Sequence, residues 1–295
     1  MKIFVRIIID ATVIIFALVI ITGWRALVPP RMPISLTPQD YGLPYKDVMF
    51  ETQDSVRLKG WFIHSEKSQA VIICLHGYPG NKSDILPALV FLYPEFSLLF
   101  FDFRAHGESE GRYTYFGLKE FLDVEAAIRH IKNNENLKDK KIGLWGYSMG
   151  GAVGIKASSE YKNIDAIVTD SAFANFPEMI IYYYKQLGPL KYIFGGIARV
   201  LGRAVLKSDF IQNSPEYAIG NIKCPILIIH SVTDDFVPYT HAERLFEKAP
   251  EPKELMEVKG DHSGLDRAFT EEYQSKVSSF FSSYLSDTNK NKEHK

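Results

Sequence analysis

Gly146-Tyr147-Ser148-Met149-Gly150 reads G-x-S-x-G, and its flanks decide how the rest of the chain is read. The apolar run Lys141-Ile142-Gly143-Leu144-Trp145 precedes it, and the small-residue run Gly150-Gly151-Ala152-Val153-Gly154-Ile155-Lys156-Ala157 follows. A serine between a strand and a helix sits on a sharp, strained turn with its hydroxyl above the sheet. Glycines two residues to either side leave room for the tight backbone and for close helix–strand packing. Three fixed residues at about 7% frequency each arise by chance in about one chain in ten of this length, so the pattern needs its context. The strand before and the helix after supply that context. The remaining question is whether the chain also supplies the partners such a serine needs.

Working outward, strand and helix patterns alternate. Two early strands are expected near 47–53 and 56–64, as a hairpin. Continuous apolar runs at 70–75 and 96–102 read as strands buried on both faces. Residues 116–134 form a helix with Phe121, Val124, Ile128 and Ile131 at core spacing. Strands are expected at 141–146, 166–170, 225–230 and 254–258, and an amphipathic helix at 271–285. The alternation argues for an α/β fold with a mostly parallel central sheet covered by helices on both faces. More than fifty residues between Asp170 and Cys224 show no strand pattern, and their apolar spacing is helical. This insertion, about 172–222, is expected to form a short helical lid over the C-terminal edge of the sheet, partly packed as extra core. The domain itself is expected to span 46–286.

The N-terminus is different. Residues 3–24 are apolar apart from Arg6 and Asp10, a length that can span a bilayer if Arg6 snorkels. Asp10 is awkward there unless it lies near the interface or is neutralised by Arg6. A signal peptide is the rival reading, but Ile21-Thr22-Gly23-Trp24-Arg25 offers no A-x-A cleavage site. An uncleaved anchor over 1–27 is the expectation; Lys2, Arg6 and the N-terminal amine flank one side and Arg25 and Arg31 the other, a slight bias that puts the catalytic domain outside the cytoplasm. Residues 28–45 hold Pro29, Pro30, Pro33, Pro38 and Pro44 and read as a linker or extended arm. The charged tail 287–295 is expected to be disordered.

Composition closes off several classes. The chain has 295 residues, 46% of them hydrophobic, enough for one large core. A net charge of −1 with no basic stripe does not favour nucleic acid. No phosphate-binding glycine motif and no Cys/His cluster with metal spacing appears, so no cofactor is expected. Cys74 and Cys224 lie in apolar runs and read as small buried hydrophobes, a disulfide remaining open.

A serine hydroxyl needs a base, an acid to orient that base, and donors for the developing oxyanion. In sheets of this class the order is Ser, then Asp or Glu, then His. The run 225–230 leads into Thr233-Asp234-Asp235-Phe236, which puts an acid on the loop edge of the sheet. Asp234 is the expected orienting acid, with Asp235 its rival and a helix-cap role the alternative. Lys259-Gly260-Asp261-His262 follows the last strand, and His262 is the expected base. His241 falls inside a helix and reads as a surface residue. One oxyanion N–H would come from Met149, the other from Tyr78 in Leu75-His76-Gly77-Tyr78. His76 precedes the serine and sits at a strand end, so a structural role is expected for it.

Together these residues resemble the serine-hydrolase branch of the α/β-hydrolase superfamily. The resemblance rests on six pieces in the family's order: His76-Gly77, 102–109, the Ser148 pentapeptide, Asp170-Ser171-Ala172-Phe173, 234–238 and Gly260-Asp261-His262. Ala105 and Ser231 stand where the family commonly has glycine. The resemblance implies a Ser148–His262–Asp234 triad, with Tyr78 and Met149 as oxyanion donors. It also implies an acyl-enzyme route acting on an ester, thioester or amide carbonyl. A carboxylic ester or thioester of a partly apolar acyl group, small-molecule or lipid-like, is the expected substrate. Acyl transfer on the same scaffold is the alternative, and peptidase activity is less expected because no propeller domain precedes the motif. The serine rules out an aspartate nucleophile.

Overall fold

The computed structural model describes residues 2–207 and 210–286; the tail expected to be disordered, 287–295, lies outside the described residues. Among the described residues, eight strands build one sheet: β1 (Lys46–Glu51), β2 (Arg57–Ile63), β3 (Ala70–Leu75), β4 (Ser97–Phe101), β5 (Lys141–Tyr147), β6 (Ala166–Asp170), β7 (Ile226–Ser231) and β8 (Lys253–Val258). Their order is β1-β2-β4-β3-β5-β6-β7-β8. β1 and β2 form an antiparallel hairpin, and β2 pairs antiparallel with β4. From β4 to β8 every pairing is parallel. This is the mostly parallel, helix-flanked sheet that the resemblance implies. Every residue of β3, β4, β6 and β7 is buried, as strands covered on both faces must be. The register pairs Leu75 with Gly146 and Tyr147 with Asp170. The ends of β3, β5 and β6 therefore share one edge, beside the point where strand order reverses.

The helices are α1 (Lys2–Leu27), α2 (Lys82–Ile85), α3 (Phe121–Lys132), α4 (Met149–Glu160), α5 (Phe176–Tyr183), α6 (Lys191–Leu206), α7 (Pro215–Ala218), α8 (Thr240–Lys248) and α9 (Glu271–Leu285). α3, α4 and α8 pack on one face through Val124, Ile128, Val153 and Leu245. α9 covers the other through Tyr273, Val277, Phe280 and Phe281. α3 begins five residues later than its apolar spacing suggests. Phe116 and Gly117 are both left-handed, with φ of 51° and 100°. The Glu120 carboxylate accepts the amides of Tyr115 (2.6 Å) and Gly117 (2.7 Å), which holds that turn open ahead of the helix.

α1 is long and apolar enough to cross a membrane. Arg6 Nε lies 3.9 Å from Asp10 Oδ2, one helical turn away. The proline-rich stretch that follows is docked on the domain. Arg31 donates to the carbonyls of Gly107 (2.9 Å), Ser109 (2.6 Å) and Gly111 (2.9 Å). Asn81 donates to the carbonyls of Met32 and Pro33. Behind it, Asp102 accepts the Lys82 and Glu108 amides and the buried Lys82 ammonium at 2.7 Å. Ala105, one of the two departures from the family pattern, carries a φ of 66°. A side chain in that region costs about 1–2 kcal/mol. Cys74 and Cys224 are free, buried thiols, and burial pushes the Cys224 thiol up to about 11.

His241 corrects the reading from sequence. It is 3% exposed, and its Nδ1 accepts the Ala174 amide (3.1 Å) and Arg244 Nη2 (2.9 Å). Both neighbours are donors, so the ring must be neutral, and burial followed by the Arg244 charge lowers its pKa to about 4. Between pH 4 and about 6.5 the unfolded chain binds a proton that the folded chain refuses, so stability falls as pH drops through that window. A shift of this size corresponds to about 3 kcal/mol. His241→Gln should flatten the stability-versus-pH curve over pH 4–6.5 by roughly that amount, measured by urea unfolding; an unchanged slope would contradict the buried neutral ring.

Candidate active site

β5 delivers the chain to Ser148 at φ 51° and ψ −114°, and α4 starts at Met149. The Ser148 amide donates to the Asp170 carbonyl at 2.8 Å, fixing the turn to the end of β6. A methyl group at Gly146 would lie 2.5 Å from the Gly150 carbonyl oxygen, and one at Gly150 would overlap the Leu75 carbonyl. Strand, turn and helix approach so closely that only glycine fits at both places.

Three side chains, 86 and 28 residues apart along the chain, meet at this turn. Ser148 Oγ is 2.9 Å from His262 Nε2. His262 Nδ1 is 2.8 Å from Asp234 Oδ2. The other Asp234 oxygen accepts the amides of Phe236 (2.9 Å) and Val237 (2.7 Å). Burial opposes charge on Asp234, but the His262 hydrogen bond and charge, together with the two amides, outweigh it. The carboxyl titrates below its ordinary range. Asp235 does not touch the ring; its carboxylate accepts the His262 backbone amide at 3.1 Å. The imidazole lies against Tyr147 (5.6 Å between centroids, 26° between planes) and Phe236 (5.2 Å). The Tyr147 hydroxyl donates to the His262 carbonyl. Ser231, the second departure, donates to the Gly260 carbonyl at 2.5 Å and so ties β7 to the His262 loop.

The Tyr78 and Met149 residues line the space at Ser148. Among the described residues, neither amide N–H has an acceptor. His76 stays out of this group. Its Nε2 accepts the Phe103 amide (3.0 Å) and its Nδ1 pairs with the Gly77 carbonyl (2.8 Å). Burial and neighbouring His106 hold it neutral. Among the described residues, no three His, Cys, Asp or Glu side chains converge as a metal site would.

A family model described as the alpha/beta hydrolase fold matches residues 70–206. The esterase Pf2001 of Pyrococcus furiosus superposes with a TM-score of 0.73 at 31% identity, over 87% of this chain and 99% of that one. The chain belongs to the α/β-hydrolase superfamily. Its curated relatives include the uncharacterised protein YfhR of Escherichia coli K12, 30% identical over 228 residues. That alignment spans 74% of this chain and 73% of YfhR. The uncharacterised membrane protein YNL320W of Saccharomyces cerevisiae is 28% identical over 72% of this chain and 71% of its own length. Fold and relatives support hydrolase activity.

Two features of this α/β-hydrolase escape a reading of its sequence. The first is a buried pair beneath the histidine loop. Arg267 Nη2 is 2.7 Å from Asp170 Oδ1, and Arg267 Nη1 donates to the Gly264 carbonyl at 2.5 Å. Tyr273 donates to the same carboxylate (3.0 Å), and Trp145 donates to Tyr273 (3.1 Å). Arg267 thus pins the loop bearing His262 to the strand end that also holds Ser148. Asp170 was visible as a motif residue, but its partner 97 positions away gave no local signal. The second is the share of α1 in the cavity at Ser148, which is about 500 Å³ and almost wholly apolar. α5 and α6 wall it with Phe176, Met179 and Leu201, as the helical spacing of 172–222 suggests; α1 adds Val19, Gly23 and Leu27.

Proposed function

We propose that this chain is a serine hydrolase that cleaves a carboxylic ester or thioester through an acyl-enzyme. The observation that carries the reading is the unbroken relay from Ser148 Oγ through His262 to buried Asp234, at 2.9 and 2.8 Å. His262 Nε2 takes the Ser148 proton as Oγ bonds to the substrate carbonyl carbon. The amides of Tyr78 and Met149 receive the oxyanion; one such donor is worth about 10²–10³ in rate. Collapse breaks the bond to the alkoxide or thiolate, which leaves with the proton from His262. Water, deprotonated by the same nitrogen, then attacks the acyl-Ser148 carbonyl and regenerates the serine. The apolar cavity suits an acyl chain, and the Pyrococcus furiosus relative supports an ester as the bond cleaved.

The same reading makes α1 a membrane anchor. Its length and apolarity and the yeast relative's description as a membrane protein support this. Lys2, Arg6 and the N-terminal amine flank one end and Arg25 and Arg31 the other, a slight bias toward an extracytoplasmic domain. Segment 172–222 serves as the lid.

A fluorophosphonate tests the reading directly. It should leave one covalent adduct, mapped by mass spectrometry to the peptide holding Ser148, and abolish hydrolysis of 4-nitrophenyl acetate in step with labelling. Hydrolysis that survives full labelling, or an adduct elsewhere, would overturn it.

A further inference from the structure

α1 is more than long enough to serve as an anchor alone, yet its last third is built into the active-site cavity. Val19 is 1% exposed and packs with Tyr184 and Phe194. The Thr22 and Tyr184 hydroxyls lie 2.7 Å apart. Leu27 accepts the Thr114 amide at 2.9 Å, and Trp24 meets the edge of Tyr113, with Arg112 over the Trp24 ring. A tryptophan at the end of an apolar helix suits the bilayer interface, and the loop cation Arg112 beside it suits the same wet level. With Trp24 at an interface, Val19 and Gly23, which line the cavity, would fall at or just inside the level where hydrocarbon begins.

The neighbouring segment carries a second, independent sign. From Lys185 to Lys207 the sequence holds Lys185, Lys191, Arg199, Arg203 and Lys207 and no carboxylate. On α6, Ile193 and Val200 lie two turns apart on one stripe and are 51% and 70% exposed. An exposed apolar stripe on a segment whose only charges are cations is the pattern of a helix lying in an anionic membrane surface. The cavity is thus enclosed between a helix suited to cross the bilayer and one suited to lie on it.

Resting on the serine-hydrolase reading, we propose that α1 is a wall of the acyl pocket and that the substrate is a membrane lipid ester. Its long acyl chain enters between α1 and α6 and brings the ester to Ser148. Gly23 is the place to test this, because a Cβ built there meets no atom within 4 Å. Gly23 also lines the cavity, so a larger side chain there has open space to take up without a clash in the helix.

The experiment uses the full chain in anionic nanodiscs, with 4-methylumbelliferyl palmitate in the bilayer and the acetate in water. Gly23→Phe should lower the palmitate-to-acetate ratio of kcat/KM by about ten- to a hundred-fold, as lost apolar room in a pocket does. Gly23→Leu should fall between it and the wild type. Ile14→Phe, on an exposed side of α1, should leave the ratio as it was. A ratio unchanged in a Gly23→Phe protein that the fluorophosphonate still labels would overturn the proposal. So would a wild type that cleaves acetate but not palmitate, or cleaves palmitate only when detergent-dispersed; the serine-hydrolase reading survives each of these. A wild type that is neither labelled nor active defeats that reading, and this proposal with it.

Discussion

Ser148→Ala should lower hydrolysis of a short ester by about 10⁵–10⁶-fold while the protein stays folded. The proposed covalent route needs an oxygen at this one position, and no neighbouring group can replace it. Asp234 is turned toward His262 and two backbone amides, and the Tyr147 hydroxyl is taken up by the His262 carbonyl. Alanine meets the same left-handed backbone cost as serine, so the turn is not further strained. What the fold loses is the single Oγ–His262 hydrogen bond, about 0.5–1.5 kcal/mol. Any residual rate would come from the Tyr78 and Met149 amides acting on a directly attacking water. The kcat/KM for 4-nitrophenyl acetate and a thermal melt check both halves, and turnover close to wild type would end the case for Ser148 as nucleophile.

Asp234→Asn should cost about 10³–10⁴-fold in kcat with the local geometry preserved. The reason lies in the two amides. Phe236 and Val237 both donate to one Asp234 oxygen, at 2.9 and 2.7 Å. An asparagine must keep its carbonyl oxygen there, since its NH₂ would face two donors. The NH₂ is then turned toward His262 Nδ1, which has to accept. The proton of the neutral ring moves to Nε2, the nitrogen that must take a proton from Ser148. The variant therefore holds the base in the wrong tautomer rather than displacing it. Nitrogen-15 shifts of the His262 ring would show the exchange, and Asp234→Ala, which frees the tautomer, should not show it. An Asp234→Asn enzyme with nearly full kcat would mean that another group orients His262.

The strands were legible because parallel strands buried on both faces are unbroken apolar runs, and 70–75 and 226–231 are of that kind. The residues at Ser148 were legible for a related reason. Each lies at or just past a strand end, and such ends share one edge of the sheet. Where the reading failed, the deciding contact was distant in sequence. His241 looks like a surface residue within its own helix, yet it is buried and its ring accepts the Ala174 amide, 67 residues earlier. Arg267 gives no sign of its Asp170 partner. α1 is apolar on every side, so nothing in its pattern marks Val19 and Gly23 as facing inward. The start of α3 was lost to a carboxylate, Glu120, that captures amides from the turn before it.

The docked arm has a mechanical consequence. Between Leu27 and β1 the chain is fastened at Arg31, Asn81 and Ser83, and Ser83 bonds the backbone of Leu36 in both directions. A slack linker would let a domain swing and sample substrate at many heights. This one behaves as a post. On the proposed anchoring, the elevation of Ser148 relative to the bilayer is a constant of the molecule, set by the covalent and hydrogen-bonded path from Gly23 to the sheet. A thicker or thinner hydrocarbon layer must then tilt α1 or deform the lipid around it. If the substrate is the lipid ester proposed above, membrane thickness becomes a variable of the chemistry, read out in how easily its carbonyl comes level with the serine.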